Sequence, residues 1–300
     1  MSLMLVDAAG LYFRAFHGIP TSIIGPDGRP VNAIRGFLDM TATLLTRRRP
    51  TRFVACQDLS WRPAFRVALL PSYKTHRALA DGAEIVPDEL GPQVPVLWEV
   101  LDAIGLARAG ADGFEADDVM ATLAERDSGP VEIVSGDRDL FGCVSERVRV
   151  LYVGRGVSKL QDLGPDEVAE KYGIPGERYA DFAALRGDPS DGLPGVSGVG
   201  ERTATALVNR FGAVEAIVAA ARDGADGFPA GARAKILAAA DYLAVAPAVV
   251  RVRTDADVPT VADVLPTHVA EPERLLDLAD RHGIASSVNR VLAAVGVRLA

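Results

Sequence analysis

The 300-residue sequence has few side chains that form disulfides or bind zinc. Its two cysteines, Cys56 and Cys143, are too few to crosslink a secreted scaffold, and its four histidines lack the spacing of a zinc site. No apolar run approaches the roughly 18 residues of a membrane span. Charges at Asp7 and Arg14 interrupt the apolar N-terminus, where a signal peptide needs an unbroken core. We therefore expect a soluble, cytoplasmic protein that does not contact membranes.

The charge of the chain is unevenly distributed. The formal net charge is −8, yet residues 47–77 hold eight basic side chains and a single acid, Asp58. Residues 78–107 hold six acids and no lysine or arginine. Because electrostatic fields act over about 8–10 Å in salt, a basic stretch can bind a polyanion even on an acidic protein. A solvated surface is the alternative explanation.

Short apolar runs alternate with helical periodicity through the first half of the chain. The predicted strands cover residues 3–7, 52–57, 131–135 and 147–153, and the predicted helices cover residues 31–48, 87–104 and 115–126. Strands separated by helices indicate a parallel sheet with helices on both faces. Ligands of such α/β sheets bind at the carboxyl ends of the strands, where Asp7 and Asp137 lie.

From about residue 165 short helical patterns replace the strands. The predicted helices cover residues 165–172, 176–186, 201–211 and 231–242. Between the second and third of these, residues 187–200 carry five glycines and two prolines, which exclude a helix there. We predict an α/β domain over residues 1–165 and a mostly helical domain over residues 166–300.

Eight carboxylates form four clusters beside the predicted strand ends and turns. Glu115-Ala-Asp-Asp opens a helix, and three acids within four residues repel one another unless a cation offsets the repulsion. The predicted fold brings Asp7, Glu115 and Asp137 to one edge of one sheet, so we interpret the four clusters together. The eight residues are Asp7, Glu115, Asp117, Asp118, Asp137, Asp139, Asp188 and Asp191.

Each cluster alone also has a structural explanation, as helix-dipole partner, cap or surface turn. Without the eight acids the chain would have 32 acidic and 32 basic residues. Its formal net charge of −8 therefore equals the summed charge of the eight proposed site residues. Carboxylate-rich sites without histidine or cysteine select hard cations such as Mg²⁺ or Mn²⁺. Phosphodiester hydrolysis is the chemistry that two such ions suit best.

Several motifs occur in the order found in one enzyme family. They are Leu5-Val-Asp7 with Arg14, Tyr73-Lys74 with Arg77, Glu115-Ala-Asp-Asp118, Ser135-Gly-Asp-Arg-Asp139, Gly187-Asp-Pro-Ser-Asp191 and Pro194-Gly-Val-Ser-Gly-Val-Gly-Glu-Arg-Thr-Ala204. Over roughly residues 3–290 the chain resembles the 5′-nuclease (flap endonuclease) family, specifically the bacterial 5′–3′ exonuclease at the N-terminus of DNA polymerase I. The resemblance implies a PIN-like parallel-sheet nuclease domain with a helical arch. It also implies a helical domain with a DNA-binding helix–three-turn–helix (helix-hairpin-helix) motif.

The resemblance further implies roles for single residues. The eight carboxylates would hold two or more Mg²⁺ or Mn²⁺ ions, directly or through water, and metal-bound water would be the nucleophile. Arg14 and Lys74 would contact the scissile phosphate, with Arg77 helping from the arch. Tyr73 would stack on a base, although a core or surface aromatic is the alternative. Only four lysines occur against 28 arginines, which mildly favours a compact point charge at Lys74.

The glycine-rich hairpin permits a tight turn before a helix that starts near residue 201. The free backbone N–H groups of such a helix can bind a phosphate, whereas a connection without a ligand is the alternative. By resemblance, the hairpin carbonyls would also bind K⁺. The DNA-binding residues implied by the motif are Gly195, Gly198, Gly200, Arg202 and Thr203.

Three positions depart from the family pattern without removing a carboxylate. Gly192 stands where Asn usually follows Ser-Asp, Ala8 stands where Gly is common, and Arg202 replaces a lysine. No polymerase domain follows within the 300 residues, so we expect a free-standing nuclease that reaches a polymerase or ligase as a partner.

The resemblance and the site together predict a divalent-metal-dependent 5′-nuclease, both flap endonuclease and 5′–3′ exonuclease, in DNA replication and repair. Its substrates would be branched or 5′-ended duplex DNA (flaps, nicks or gaps), with RNA primers on DNA as further substrates. One alternative is a DNA-docking protein that does not cleave, although all the acids and arch cations are present. Another is a ribonuclease of the wider PIN group, which usually lacks the glycine hairpin and the arch segment.

Overall fold

The computed structural model describes residues 2–298, and a six-stranded sheet forms its centre. The strand order is β3-β2-β1-β4-β5-β6, parallel throughout except for the antiparallel pair β5 and β6. The structure confirms the four predicted strands and the α/β class. The sequence analysis does not predict β3 and β6, because three residues are too few to show a strand's hydrophobic pattern. The strands are β1 (Leu3–Asp7), β2 (Arg52–Cys56), β3 (Ala107–Ala109), β4 (Val131–Ser135), β5 (Val148–Tyr152) and β6 (Gln161–Leu163).

Fourteen α-helices accompany the sheet within residues 2–298. No single helix there is long and apolar enough to cross a membrane; α8 and α9 pass that test only as a pair, which is bent by 83°. The helices are α1 (Ala8–Gly18), α2 (Asn32–Arg48), α3 (Ala64–Leu69), α4 (Gln93–Ile104), α5 (Ala116–Arg126), α6 (Pro165–Tyr172), α7 (Tyr179–Arg186), α8 (Glu201–Phe211), α9 (Val214–Arg222), α10 (Ala232–Ala238), α11 (Ala240–Leu243), α12 (Ala246–Val250), α13 (Pro272–His282) and α14 (Ala285–Val295).

Helices cover both faces of the sheet, as the sequence predicts. Successive strand residues point to opposite faces, so Leu3 and Leu5 enter one apolar core while Met4 and Val6 enter another. The first core continues into α5 and the helices α7 to α12. The second core lies among α2, α4, α13 and α14. The sheet is therefore buried on both sides, and only its strand ends remain available for a site.

The chain returns to the sheet at its C-terminal end. Helix α14 packs on α2 and α13 packs on α4, and the Glu271 amide donates to the Ala103 carbonyl at 3.0 Å. These last helices carry no sequence motif that indicates their partners. The domain division at residue 165 stays a prediction, because the helical half both packs on α5 and ends beside α2.

The segment between α3 and α4 differs from the predicted helical arch. It contains one 3₁₀ turn, Thr75–Arg77, and an antiparallel bridge between Ala78 and Glu84. The predicted helix over residues 87–104 begins only at Gln93. Two glycines and two prolines between residues 82 and 92 explain why no α-helix forms in this part of the described chain. Between α3 and α4 the segment is therefore built from turns and one 3₁₀ turn, and α-helix occurs only on either side of it.

Candidate active site

Acidic side chains follow three neighbouring strands at the carboxyl edge of the sheet. Asp7 ends β1, Asp58 lies two residues after β2, and Asp137 lies two residues after β4. Because β1 lies between β2 and β4, the three side chains approach one opening. With Asp117 from the first turn of α5, they line a cavity of about 680 Å³, called the acidic cavity below.

Asp7 is fixed at the cavity wall by two hydrogen bonds. Its Oδ1 accepts from the Gly10 amide at 2.7 Å, and its Oδ2 accepts from the Ser135 hydroxyl at 2.9 Å. A Cβ atom at Gly10 would lie 2.2 Å from Asp7 Oδ2, so only glycine fits there. The acid therefore caps α1 and lines the cavity at the same time. Burial, and then the nearby charge of Asp137, raise its pKa despite these bonds.

Several acids of the site have raised pKa values, although Asp191 has an ion pair with Arg77 at 3.8 Å. Burial, followed by the charges of Asp137 and Asp7, raises the pKa of Asp117 well above its ordinary value. Burial and the charge of Asp137 do the same for Asp139. The pKa of Asp191 is raised to about 6, first by burial. The fold therefore holds negative charge that the protein itself leaves partly uncompensated.

The residues of the acidic cavity fit a hard divalent cation. Asp117 Oδ1 is buried and has no hydrogen-bond partner within residues 2–298. In the same part of the chain, no group of three acidic, histidine or cysteine side chains is arranged so that it could hold a metal ion as it stands. The unpartnered oxygen and the all-carboxylate donor set nevertheless match the oxygen ligands that Mg²⁺ and Mn²⁺ prefer.

Asp58 is a cavity residue that the sequence analysis missed. Its Oδ1 accepts from the Ala116 amide at 2.7 Å, which ties the end of β2 to the start of α5. Burial, and then the charge of Asp7, raise its pKa. The signal was available, because Asp58 follows a predicted strand just as Asp7 and Asp137 do. The sequence analysis uses Asp58 only as the single acid among the basic side chains of residues 47–77.

Arg66 is the second missed residue, and it organises a buried group beside the cavity. Its side chain is 2% exposed and donates to Glu115 Oε2 at 3.1 Å, to both oxygens of Asp118 at 2.7 Å, and to the Val249 carbonyl at 2.9 Å. The Tyr73 hydroxyl also donates to Glu115 Oε2, at 2.8 Å. We call Arg66, Tyr73, Glu115 and Asp118 the Arg66 network.

Asp118 does not reach the acidic cavity, contrary to its predicted role as a metal ligand. Both of its oxygens are paired with Arg66, and it also accepts from the Arg253 amide at 2.8 Å. The side chain is fully buried. Because its acceptor positions are occupied by protein donors, we interpret Asp118 as structural.

Glu115 is the member of the Arg66 network that also contacts a cavity residue, Lys74. Its Oε2 is held by Arg66 and Tyr73, whereas its Oε1 accepts from Lys74 Nζ at 2.6 Å. Glu115 raises the pKa of Lys74 although burial acts in the opposite direction. Glu115 therefore presents one oxygen toward the cavity, and Lys74 occupies it in the free protein.

The turn of Asp188 and Asp191 docks against the segment that carries Lys74. The Lys74 amide donates to the Asp191 carbonyl at 3.0 Å, and an Arg77 guanidinium nitrogen donates to the Ser190 carbonyl at 2.8 Å. Gly192 has φ +75°, and a Cβ there would lie 2.4 Å from the Ser72 carbonyl oxygen. The docking of this turn against the Lys74 segment therefore requires glycine at position 192, where the family usually has asparagine.

The three predicted phosphate-binding cations line the acidic cavity together. Arg14, Lys74 and Arg77 all face it. Arg14 Nε is buried and without a hydrogen-bond partner in the described chain, and an Arg14 guanidinium nitrogen would lie 3.3 Å from a Cβ at Gly136. The absence of side chains at Gly136 and Gly10 therefore keeps Arg14 and Asp7 accessible. A cavity lined by both acids and cations suits a metal-bound phosphate.

The sequence analysis predicts that Tyr73 stacks on a base. The ring is not placed for this role in the structure. The residue is 2% exposed, and its hydroxyl points to Glu115. Burial and the charge of Glu115 raise its pKa well above the ordinary value. The structure thus favours the core alternative for this ring.

The glycine hairpin leads into α8 as predicted. Gly195 has φ +67°, and a Cβ there would lie 2.5 Å from the Gly187 amide, so the turn requires glycine. Gly200 is the N-cap of α8, and Arg202 in the first turn is exposed while Thr203 is half-buried. The Gly198 carbonyl accepts from Lys235 Nζ at 2.9 Å. An ammonium group therefore already pairs one carbonyl of the predicted K⁺ site.

A parallel-sheet fold with carboxylates and cations around one cavity is the arrangement that the sequence analysis expects of a nuclease, and comparison with known proteins gives the family. Residues 2–173 match the family model "5'-3' exonuclease, N-terminal resolvase-like domain". Residues 174–273 match the model "5'-3' exonuclease, C-terminal SAM fold". The chain belongs to the 5′–3′ exonuclease family, which confirms the resemblance and the enzyme class.

Individual relatives give the same result. The chain is 52% identical to a 5′–3′ exonuclease of Mycobacterium tuberculosis (strain ATCC 25618 / H37Rv), over 98% of this chain and 97% of the relative. It is 43% identical to DNA polymerase I of the same organism over 72% of this chain, but spans only 24% of that polymerase. The fold is similar to bacteriophage T5 flap endonuclease in a complex with DNA and metal ions, with 16% identity and a TM-score of 0.62 over 99% of this chain and 100% of that one.

Proposed function

We propose that the protein is a divalent-metal-dependent, structure-specific 5′-nuclease that cleaves DNA near flaps, nicks or gaps. The observation that carries the proposal is the set of incompletely compensated carboxylates beside Arg14, Lys74 and Arg77. Flap and primer removal in replication and repair is the role that such an activity would serve. The T5 flap endonuclease with DNA and metal ions supports the choice of substrate through its similar fold.

We further propose which side chains hold Mg²⁺ or Mn²⁺. Asp7, Asp58, Asp117 and Asp137 line the cavity, and Glu115 adds the oxygen that now binds Lys74. The second group of acids is Asp139, Asp188 and Asp191. When bound, two such ions would activate a water and stabilise the charge on the phosphate oxygens. We leave Asp118 out of this set, because both of its oxygens accept from Arg66.

The cations of the cavity would bind and orient the scissile phosphate. Arg14 has an unpartnered Nε in the described chain, so it is free to donate to a phosphate oxygen. Lys74 would exchange Glu115 for the phosphate when DNA enters, which also frees Glu115 Oε1. Arg77 is anchored to the Ser190 carbonyl and faces the same opening.

We also propose protein partners and a monovalent ion for this nuclease. The similarity to part of DNA polymerase I supports a polymerase or ligase as a working partner, with RNA primers annealed to DNA as further substrates. The hairpin before α8 would bind a backbone phosphate of duplex DNA. K⁺ would bind there only at carbonyls that Lys235 leaves free.

A cleavage assay tests the proposal. A 5′-flap duplex labelled at both ends of the flap strand is incubated with Mg²⁺, Mn²⁺ or EDTA. We expect a flap-length product only with metal, and its loss by about 100-fold or more in Asp117→Asn. Asp102→Asn is the matched control, because Asp102 is a half-exposed acid paired with Arg108 at the β3 edge of the sheet. Flap binding without cleavage in either metal would favour a docking protein instead.

A further inference from the structure

Three cations form a group beside the acidic cavity that none of the roles above uses. Arg138 lies between Asp137 and Asp139 and lines the cavity, Arg155 is exposed in the turn after β5, and Lys171 is exposed near the end of α6. None of them forms an ion pair with an acid within the described residues 2–298, although Asp188 influences Arg138 from a longer distance. We call these three residues the basic track.

The members of the basic track lie close enough to repel one another. Burial, then the charges of Arg155 and Arg138, lower the pKa of Lys171. Lys171 Nζ lies 5.1 Å from the ring centre of Tyr152 and 5.5 Å from that of Tyr172. Its hydrogen bond is to the neutral Gln161 side chain, at 2.6 Å. The fold therefore concentrates positive charge at this surface without supplying counter-charge, which indicates an anionic ligand.

The basic track connects the acidic cavity with the glycine hairpin. At one end, a Cβ at Gly136 would lie 3.3 Å from Arg14 and 3.9 Å from Gly154, the neighbour of Arg155. At the other end, α6 contacts α8, the helix that follows the hairpin. The Thr205 hydroxyl donates to the Tyr172 carbonyl at 3.4 Å, and the Asn209 side chain donates to the Gly173 carbonyl at 2.7 Å.

We propose that Arg155 and Lys171, together with Arg138, bind backbone phosphates of the duplex arm that runs from the acidic cavity to the hairpin of α8. This inference rests on the proposed function, because it extends the same DNA-binding surface. Lysine and arginine neutralise phosphates independently of sequence. The assigned ligand is duplex rather than single-stranded DNA, because Lys171 covers the faces of Tyr152 and Tyr172 on which a free base would stack.

The test compares two double variants of equal charge. Arg155→Gln/Lys171→Gln removes two cations of the basic track. Arg108→Gln/Arg281→Gln removes two cations that are paired with Asp102 and Asp277, one of them on β3 at the opposite edge of the sheet. Flap cleavage with Mn²⁺ is measured at several salt concentrations, and thermal melting monitors folding. Each substrate is also prepared with one of its two duplex arms shortened to about six base pairs.

We expect the track variant to raise KM about tenfold with little change in kcat, and to reduce the salt dependence of log KM by about two. The control variant should leave both quantities near those of the wild type. Shortening one particular arm should remove the difference between track variant and wild type, whereas shortening the other arm should preserve it. The melting temperature of the track variant should stay constant or rise, because like-charge repulsion is relieved.

Other outcomes are distinguishable. A wild-type protein that does not cleave contradicts the proposed function itself. An active wild type with equal KM and salt dependence in both double variants overturns the basic track alone. A KM effect that persists with either arm shortened, but disappears when the 5′ flap is removed, would assign the track to single-stranded DNA and also overturn the proposal.

Discussion

Asp117 and Asp118 are neighbours in the first turn of α5, and the protein treats them in opposite ways. Asp118 pairs both oxygens with Arg66 and accepts a backbone amide as well. Asp117 leaves Oδ1 without a partner in the described chain, and its pKa is raised well above the ordinary value by burial and acidic neighbours. The presence of a paired protein cation at Asp118, and its absence at Asp117, therefore separates the two carboxylates.

The same contrast distinguishes the Arg66 network from the acidic cavity. In the network every negative charge has a hydrogen-bonded cation, so removal of either partner would leave an uncompensated charge in the interior. In the cavity negative charges accumulate around Asp7 and Asp137, and the protein alone loses stability by holding them. Such an arrangement persists where a ligand supplies the missing positive charge. The following experiments test this comparison.

Removal of the cation from the Arg66 network should have the largest effect. Arg66→Leu leaves Asp118 and Glu115 buried with too few donors, so we expect a loss of about 3–5 kcal/mol in the free energy of unfolding. Urea unfolding in EDTA measures it. Arg108→Leu is the control, with an expected change within about 0.5 kcal/mol, because this half-exposed arginine pairs only with Asp102. A loss below about 1 kcal/mol for Arg66→Leu would contradict the role assigned to the network.

Asp191, from the second group of acids, should make the metal-free protein less stable as the pH rises. The pKa of Asp191 is about 6 in the folded protein against 3.8 in the ordinary state, first because of burial. Between these values the unfolded chain releases the proton while the folded chain keeps it. Stability is therefore highest below about pH 4 and falls until about pH 6.

Comparison with a variant isolates this contribution. Asp191→Asn should lack the decrease, so that the difference between wild type and variant changes by up to about 3 kcal/mol from pH 4 to pH 7. Urea unfolding in EDTA at each pH measures the difference. A constant difference, or one of opposite sign, would show that Asp191 is compensated within the protein.

The smallest effect should come from the hydroxyl group of Tyr73. Tyr73→Phe keeps the buried ring but removes the hydrogen bond to Glu115, so we expect a loss of about 1 kcal/mol in the free energy of unfolding. KM for the flap substrate should not change, because the ring is covered. If Tyr73→Leu raised KM while Tyr73→Phe left both stability and KM unchanged, the base-stacking role would be supported instead.

Local sequence patterns predicted the parallel sheet and the edge where the site lies. Each acid at a strand end followed from position alone, and Asp58 would have followed from the same rule. The role of Asp118 could not be predicted, because its partner Arg66 is distant in sequence and only the fold brings them together. Motif resemblance implies that Tyr73 stacks on a base, and it could not indicate that the ring is buried and that its hydroxyl donates to Glu115.

Two features of the fold were also outside the reach of the sequence. Helices α13 and α14 have ordinary amphipathic patterns, which do not specify α4 and α2 as their partners. The arch segment carries the family's Tyr-Lys and Arg, yet its glycines and prolines favour turns over a helix. Gly192 departs from the family pattern, and the sequence alone does not explain why. The structure explains it, because the Ser72 carbonyl oxygen leaves no room for a side chain there.

The most direct test of the account is the thermal and urea unfolding of wild type, Asp117→Asn and Asp118→Asn, each with EDTA and with Mn²⁺. In EDTA we expect Asp117→Asn to be more stable than wild type by about 1–2 kcal/mol and Asp118→Asn to be less stable. Mn²⁺ at about 100 times its dissociation constant should stabilise the wild type by about 2.7 kcal/mol and Asp117→Asn by clearly less. Equal losses for both variants in EDTA, with no effect of Mn²⁺ on the wild type, would contradict a cation site at the acidic cavity.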